Sequence, residues 1–118
     1  MKSKSGTTVT FFKRSDGALI GYRAGGHSGY AEAGADIVCA GVSALTQSTL
    51  NGLQNILKAP VRSKIDERAA SLEAELKPEA TSEQVERAQL LLQTLLQGLQ
   101  AMERSYPRNV RIFFEERR

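Results

Sequence analysis

Apolar and polar residues alternate in several short segments, which is the pattern of β-strands with one buried face. Residues 7–14 are rich in β-branched and aromatic side chains, residues 15–17 (Ser-Asp-Gly) favour a turn, and residues 18–24 are again apolar at spaced positions. Residues 61–66 alternate apolar or small side chains with charged ones. Residues 69–76 contain helix-favouring Ala, Glu and Leu, but their alternation and short length favour a strand. Two β-hairpins are therefore predicted, and the strand at 61–66 should be half buried.

Two longer segments repeat apolar residues every three or four positions, the spacing of one helix face. We expect the first helix to begin at Asp36 as its N-cap and to end before Pro60. The second opens with the capping-box pair Thr81 and Gln84 and runs to about Tyr106. The predicted core face of the first helix consists of Val38, Val42, Leu45, Thr49, Leu53 and Ile56. The predicted core face of the second consists of Val85, Ala88, Leu92, Leu95, Leu96 and Leu99.

A last strand at residues 109–115 completes the order ββαββαβ. The expected fold is α+β, with two amphipathic helices packed on one face of a mostly antiparallel sheet. A chain of this length, residues 1–118, is expected to form one domain. Leu90 and Leu91 widen the apolar stripe of the second helix beyond one core face. This extra apolar surface suggests a homodimer.

Composition and charge narrow the classes of function. The chain is 41% hydrophobic and 25% charged, as in ordinary globular proteins. The net charge of +3 is too small to indicate a dedicated nucleic-acid surface. A single cysteine cannot form an internal disulfide, and one Cys and one His are too few for a metal site, so we expect a cytoplasmic protein without a metal. Without an apolar run of about 20 residues, no membrane span is predicted.

The candidate chemistry lies in residues 25–39, GGHSGYAEAGADIVC, which contain the only histidine and the only cysteine. With Asp36 as N-cap, Cys39 would lie in the first helical turn, where unpaired N–H groups and the helix dipole favour the thiolate. The glycine-rich loop can fold back and bring His27 beside Cys39 as a base. First-turn N–H groups, with Ser43, are candidate donors to an oxyanion. The pattern predicts acyl transfer or peptide hydrolysis, and whether Asp36 orients His27 or only caps the helix stays open.

Other interpretations of the same residues remain at this point. A lone cysteine is commonly an inert, buried small side chain. A small RNA- or ribosome-binding module without catalysis is the main rival, because residues 26–29 fit a GxxG loop, although this loop follows a strand and lacks an aromatic platform. A thiol redox sensor would lack a resolving cysteine in the chain. A phosphate-binding loop would lack its Lys and Ser/Thr.

Residues 26–53, GHSGYAEAGADIVCAGVSALTQSTLNGL, resemble the signature of the ribosomal-processing cysteine proteases, the Prp family. The family pattern runs G-H, a small residue, G-Y-A, then G-x-D-I-V-C-A, a small residue and V-S-A-L-T-Q. Ser28 stands where alanine is commoner, and Gly41 replaces a usual alanine. The strand-turn-strand opening, the LLLQTLLQGL helix and the YP before the last strand are also similar to that family.

The resemblance implies an endopeptidase that removes a short N-terminal extension from a large-subunit bacterial ribosomal protein. It implies a cytoplasmic homodimer without a cofactor, in contact with nucleic acid only indirectly through ribosomes. By the same resemblance Cys39 matches the nucleophile and His27 the base, while Asp36 and Ser43 match supporting positions. The loop expected to close over the substrate contains Gly25, Gly26, Gly29, Tyr30 and Gly34. Tyr30, with the helix flank around Leu50, would form an apolar substrate pocket, or would anchor the loop to the core.

Overall fold

The computed structural model describes residues 6–26, 33–68 and 70–117, and of residues 33–36 it describes the backbone. The elements are β1 (Thr7–Lys13), β2 (Leu19–Gly25), α1 (Ala33–Asn51) with a π-helical extension (Gly52–Ile56), β3 (Val61–Asp66), β4 (Ser71–Leu76), α2 (Ser82–Ser105) and β5 (Val110–Glu116). The predicted order ββαββαβ is confirmed.

The five strands form one sheet in the order β3-β4-β2-β1-β5. Neighbouring strands are antiparallel except β1 and β5, which run parallel. Thr7 at the start of β1 is opposite Val110 of β5, and Thr8 is opposite Gly25 at the end of β2. The predicted mostly antiparallel sheet is therefore confirmed, and its second strand ends where the candidate loop begins.

The first hairpin turns because of its local chemistry. Gly17 adopts a positive φ of 93°, which glycine tolerates without steric cost. The Asp16 carboxylate accepts a hydrogen bond from the Ala18 N–H at 3.0 Å and pairs with Arg14 at 2.8 Å. These contacts lower the pKa of Asp16, with the Arg14 hydrogen bond as the largest cause.

Helix α1 begins at Ala33, so the prediction of Asp36 as N-cap is wrong. The alanines at 33 and 35 are strong helix formers and extend the helix toward the loop despite Gly34. Asp36 consequently lies inside the first turn of the helix. Cys39 is the seventh residue of the helix and belongs to its second turn.

The buried face of α1 also differs from the predicted stripe near its end. Val38, Val42 and Leu53 are buried as expected, whereas Ile56 is 81% exposed. The π-helical extension that begins at Gly52 has a wider turn, so the three- and four-residue spacing no longer marks the core side there. Leu50 is buried in the core, together with Thr46.

Helix α2 follows its prediction closely. Thr81 and Gln84 form the capping box, with the Gln84 N–H donating to Thr81 Oγ1 at 3.1 Å and the Thr81 N–H donating to Gln84 Oε1 at 2.9 Å. The buried residues are Val85, Ala88, Leu92, Leu95 and Leu99, and Leu96 is half buried. Leu90 is 75% exposed, whereas Leu91 packs partly against the core.

Among the helices of the described residues, none is both long and apolar enough to span a membrane.

The second hairpin has the predicted partners but unequal burial. Leu72, Ala74 and Leu76 of β4 are buried, in agreement with their alternation. The half-buried strand predicted at residues 61–66 is instead largely exposed, and Ile65 is 62% exposed. The reason is position, because β3 is an edge strand. Its turn into β4 is therefore free to form the wall of a cleft.

The sheet face opposite the helices is covered by charged side chains. Phe12 is completely buried there, beneath two guanidinium groups. The guanidinium carbon of Arg23 lies 5.4 Å from the centre of the Phe12 ring, and that of Arg117 lies 3.9 Å from it. Arg117 also lies 3.3 Å from a carboxylate oxygen of Glu115, and Arg23 lies 3.3 Å from the other. Carboxylates thus neutralise the cations that cover this face.

Candidate active site

A cavity of about 180 Å³ lies between α1, the end of β2 and the turn that joins β3 to β4. Its lining includes Cys39 and Ser43 from α1, and Gly25 and Gly26 from the end of β2. The chain's only cysteine is therefore placed at an open cleft and not in the interior.

Cys39 is half buried, next to the buried Val38. Its sulfur lies 3.8 Å from the hydroxyl oxygen of Thr7. Because Cys39 is in the second turn, its own N–H belongs to the regular helical hydrogen-bond ladder and not to the unpaired N–H groups at the helix end. The prediction that first-turn N–H groups surround Cys39 is thus wrong, and the helix dipole, which acts mainly within the first turn, contributes less than expected.

Ser43 is exposed, one helical turn beyond Cys39, and lines the same cavity. The spacing of four residues puts both side chains on one side of the helix. Gly34 and Asp36 lie in the first turn of α1. His27, Gly29 and Tyr30 lie outside the described residues.

The two glycines at the start of the predicted loop have different roles. Gly25 is the last residue of β2, not a loop residue as expected, and a side chain there would lie 3.0 Å from the Ser71 side chain. Gly26 has a φ of 87°, a conformation that disfavours other residues, and its carbonyl oxygen is 3.3 Å from Thr7 Oγ1. The strand β2 therefore ends at Gly25, and Gly26 stands between it and His27 in the chain.

The opposite wall of the cavity comes from the second hairpin. It presents the apolar side chains of Ile65 and Leu72 and the acidic residues Asp66 and Glu67. Val42 of α1 adds apolar surface. Leu50, predicted to flank the substrate pocket, is buried in the core and is not among the residues that line this cavity.

A buried hydrogen bond fixes α1 against the sheet below the cavity. The Tyr22 hydroxyl of β2 donates to the Thr46 carbonyl oxygen at 2.6 Å. Burial raises the pKa of Tyr22 well above its usual value of about 10. Thr46 also lines the cavity, so this contact helps to set the distance between the helix and the sheet at the site.

Sequence reasoning missed Thr7 and the β3–β4 turn as parts of the site. Thr7 is 32 positions from Cys39, and only the β1–β2 pairing brings it beside Gly26. The turn at 67–70 carries no motif, although its position after an edge strand could have suggested a cleft wall. Within the described residues, no group of three or more His, Cys, Asp or Glu side chains is arranged to hold a metal ion.

A cysteine on a helix that lines a cleft suits a cysteine protease, and comparison with known proteins shows the family. The family model described as cysteine protease Prp matches residues 7–111. The chain belongs to the Prp family of cysteine proteases.

The similarity to individual relatives extends along nearly the whole chain. The ribosomal processing cysteine protease Prp of Bacillus subtilis is 28% identical over 104 residues, which are 88% of this chain and 93% of the relative. The Staphylococcus aureus protein of the same name is 28% identical over 108 residues, 92% of this chain and 98% of the relative.

Solved structures share the fold. A Streptococcus mutans crystal structure matches with a TM-score of 0.81 at 29% identity, covering 96% of this chain and 97% of the other. The crystal structure of an essential ribosomal processing protease Prp from S. aureus, in complex with a substrate peptide, matches with a TM-score of 0.80 at 27% identity, covering 92% and 99%.

Proposed function

We propose that this cysteine endopeptidase removes a short N-terminal extension from a large-subunit bacterial ribosomal protein in the cytoplasm. The observation that carries the proposal is the position of Cys39, the chain's only cysteine, in the lining of an open cavity. A cysteine protease needs an accessible thiol, and this chain has a single candidate. The names of the relatives, which are ribosomal processing proteases, support the class of substrate.

In the proposed reaction, the Cys39 sulfur attacks the carbonyl carbon of the scissile peptide bond, and His27 acts as the base. The C–N bond then breaks, the amine leaves with a proton from the imidazole, and a thioester links the N-terminal fragment to the enzyme. Water, deprotonated by His27, hydrolyses the thioester. The position of Gly26 supports this role, because Thr7 contacts both its carbonyl oxygen and the Cys39 sulfur, and His27 is the next residue.

The supporting residues have distinct proposed tasks. Ser43 lies on the cavity side of α1 and donates to the oxyanion that forms during attack. Asp36, in the first turn of the helix, orients the His27 ring. The loop between β2 and α1, which contains Gly26, Gly29 and Tyr30, closes over the bound peptide.

The cavity suits a peptide with apolar residues before the scissile bond. Val42, Ile65 and Leu72 supply apolar surface beside Cys39. A related protease of known structure is in complex with a substrate peptide, which supports binding of a peptide by this fold. No cofactor takes part in the proposed reaction.

Mass spectrometry of a ribosomal-protein N-terminal extension peptide, incubated with the purified chain, tests the proposal. Cleavage at one bond by the native protein and no cleavage by Cys39→Ala is the expected result. Ser43→Ala should reduce kcat by about tenfold or more, because an oxyanion donor is lost. Ser48→Ala is the matched control, since Ser48 is exposed on the same helix and does not line the cavity. An intact peptide with the native enzyme would refute the substrate assignment.

A homodimer is the second part of the proposal. Leu90 supports it, because it is 75% exposed and leaves apolar surface on a helix flank that a second copy of the chain can cover. Sedimentation of the native chain should give the mass of a dimer. Leu90→Lys should shift the equilibrium toward the monomer, whereas Gln93→Lys, at another exposed position of α2, should not. A monomeric native chain would contradict this proposal.

Binding of RNA is the alternative function. It is the next function to test if the native chain does not cleave the peptide. The open sheet face argues against it, because Arg23, Arg62 and Arg117 each lie within 4.0 Å of a carboxylate oxygen. Paired cations attract phosphates less than free ones. Steep loss of RNA affinity with added salt would favour this alternative, and no binding at low salt would eliminate it.

A further inference from the structure

The Thr7 hydroxyl contacts the sulfur of the candidate nucleophile. Thr7 is only 6% exposed, and its Oγ1 lies 3.3 Å from the Gly26 carbonyl oxygen and 3.8 Å from the Cys39 sulfur. A hydroxyl has one proton, so it can donate to only one of these two acceptors at a time. The geometry therefore gives the hydroxyl two alternative hydrogen-bonding states.

The backbone holds Thr7 firmly in this place. Its N–H donates to the Asn109 carbonyl oxygen at 2.7 Å, and the residue pairs with Val110 of β5. Gly26, on the other side, adopts its positive φ next to Gly6. Because strands on both sides fix the Thr7 backbone, rotation about the Cβ–Oγ bond is the movement left to the hydroxyl proton.

We propose that Thr7 is a positioning residue that hydrogen-bonds the Cys39 sulfur in both of its protonation states. The proposal rests on the role of Cys39 proposed above. With the neutral thiol, the S–H donates to Oγ1 and the hydroxyl donates to Gly26. After His27 takes the proton from the thiol, the hydroxyl turns and donates to the thiolate. A donor to the ionised form stabilises that form.

The charges of the cavity make such a donor valuable. Among the described residues that line it, the titratable side chains besides Cys39 are Asp66 and Glu67. Carboxylates on the opposite wall disfavour a further negative charge at the sulfur. Cys39 lies beyond the first turn of its helix, so the helix end offers it less compensation than a first-turn position would. A neutral hydroxyl at 3.8 Å supplies a local donor without a counter-charge.

Alkylation of Cys39 by iodoacetamide tests the proposal without requiring protease activity. Thr7→Val keeps the shape of the side chain and removes the hydroxyl, whereas Thr7→Ser keeps the hydroxyl. At pH 7 the alkylation rate of Thr7→Val should be about tenfold lower than that of the native chain. This factor is at the lower end of the range of effects for loss of a hydrogen bond to a charged group. Thr7→Ser should retain the rate within about twofold. Near pH 10, where free thiols are ionised, all three should react at about the same rate.

Peptide cleavage gives the second readout. Thr7→Val should lower kcat by about tenfold with little change in KM, because the hydroxyl contacts the nucleophile and not the substrate. Equal alkylation of Thr7→Val and native protein at pH 7, or equal losses in Thr7→Val and Thr7→Ser, would overturn the proposal. If Thr7→Val does not fold by circular dichroism, Thr7→Ala takes its place with the same expected outcomes.

The two proposals fail in different ways. If the native chain leaves the ribosomal extension peptide intact but Thr7→Val still slows alkylation, the assigned substrate is wrong and the role of Thr7 stands. If the native chain cleaves the peptide and Thr7→Val is alkylated at the native rate, the proposal for Thr7 alone is wrong.

Discussion

Substitution of Tyr22 by phenylalanine isolates one buried hydrogen bond that holds the site together. The ring of Tyr22 is completely buried, and its hydroxyl donates to the Thr46 carbonyl oxygen at 2.6 Å. Phenylalanine keeps the ring and removes only the donor. A neutral intramolecular hydrogen bond contributes about 1 kcal/mol net, so Tyr22→Phe should lose about 1 kcal/mol of unfolding free energy at pH 7. For a chain of this size, this corresponds to a fall in Tm of about 4 °C.

The effect of Tyr22→Phe on the unfolding free energy should change sign at high pH. Burial raises the pKa of Tyr22 in the folded chain, whereas the unfolded chain keeps a value of about 10. Stability from this group is therefore complete below about pH 10 and is lost above it, because the unfolded state releases the proton first. The loss reaches about 1.4 kcal/mol by about pH 11. There the native chain should have no advantage left over Tyr22→Phe.

Urea unfolding of both proteins between pH 7 and pH 11 measures this difference directly. All other ionisable groups are the same in both proteins, so their effects cancel in the comparison. Tyr106→Phe is the matched control for removal of a tyrosine hydroxyl, since Tyr106 is 46% exposed and lies outside the core. A constant difference between native and Tyr22→Phe across this range would refute the assigned effect of burial.

Three further substitutions test the helices. Gly41→Ala should stabilise the chain by about 0.5 kcal/mol, because alanine has the higher helix propensity. The new methyl group would lie 3.2 Å from the flexible end of Met102, which can move at smaller cost. A fall in Tm would contradict this prediction. Thr81→Ala removes the capping box and should cost about 1 kcal/mol by urea unfolding, and an unchanged midpoint would show that the cap is dispensable. Leu92→Ala should lower the unfolding free energy by about 2–5 kcal/mol, because Leu92 is completely buried. Leu90→Ala, at an exposed position of the same helix, should lower that of the monomer by less than about 1 kcal/mol. Equal losses in the two variants would place Leu92 outside the core.

Local patterns predicted the elements of the fold because each element carries its own signal. The capping box at Thr81 and the alternation of residues 72, 74 and 76 depend on neighbours a few positions away. The exposure of Ile65 depends instead on whether the strand lies at the edge of the sheet. The exposure of Ile56 depends on the change of helical turn at Gly52. Such features arise from the assembled structure, so periodicity alone could not predict them.

The sequence was enough to predict which cysteine lies at the candidate site, but not which residues surround it. The position of Cys39 on the flank of a helix followed from spacing, but its exact turn did not, because the helix extends back to Ala33. Thr7 could not be identified from the sequence, because its contact with the sulfur requires pairing between distant strands. The roles of His27 and Ser43 remain predictions.

The parallel pairing of β1 and β5 has a consequence for the time at which the enzyme becomes competent. Thr7 and its partner Val110 are separated by roughly one hundred residues, so their contact closes a very long loop and forms late in folding. The same contact holds the hydroxyl beside Cys39. While the chain is still being synthesised, residues 7–105 can collapse, but the sulfur lacks its fixed neighbour until β5 emerges from the ribosome and joins the sheet. Nascent chains should therefore have little protease activity until β5 has joined the sheet.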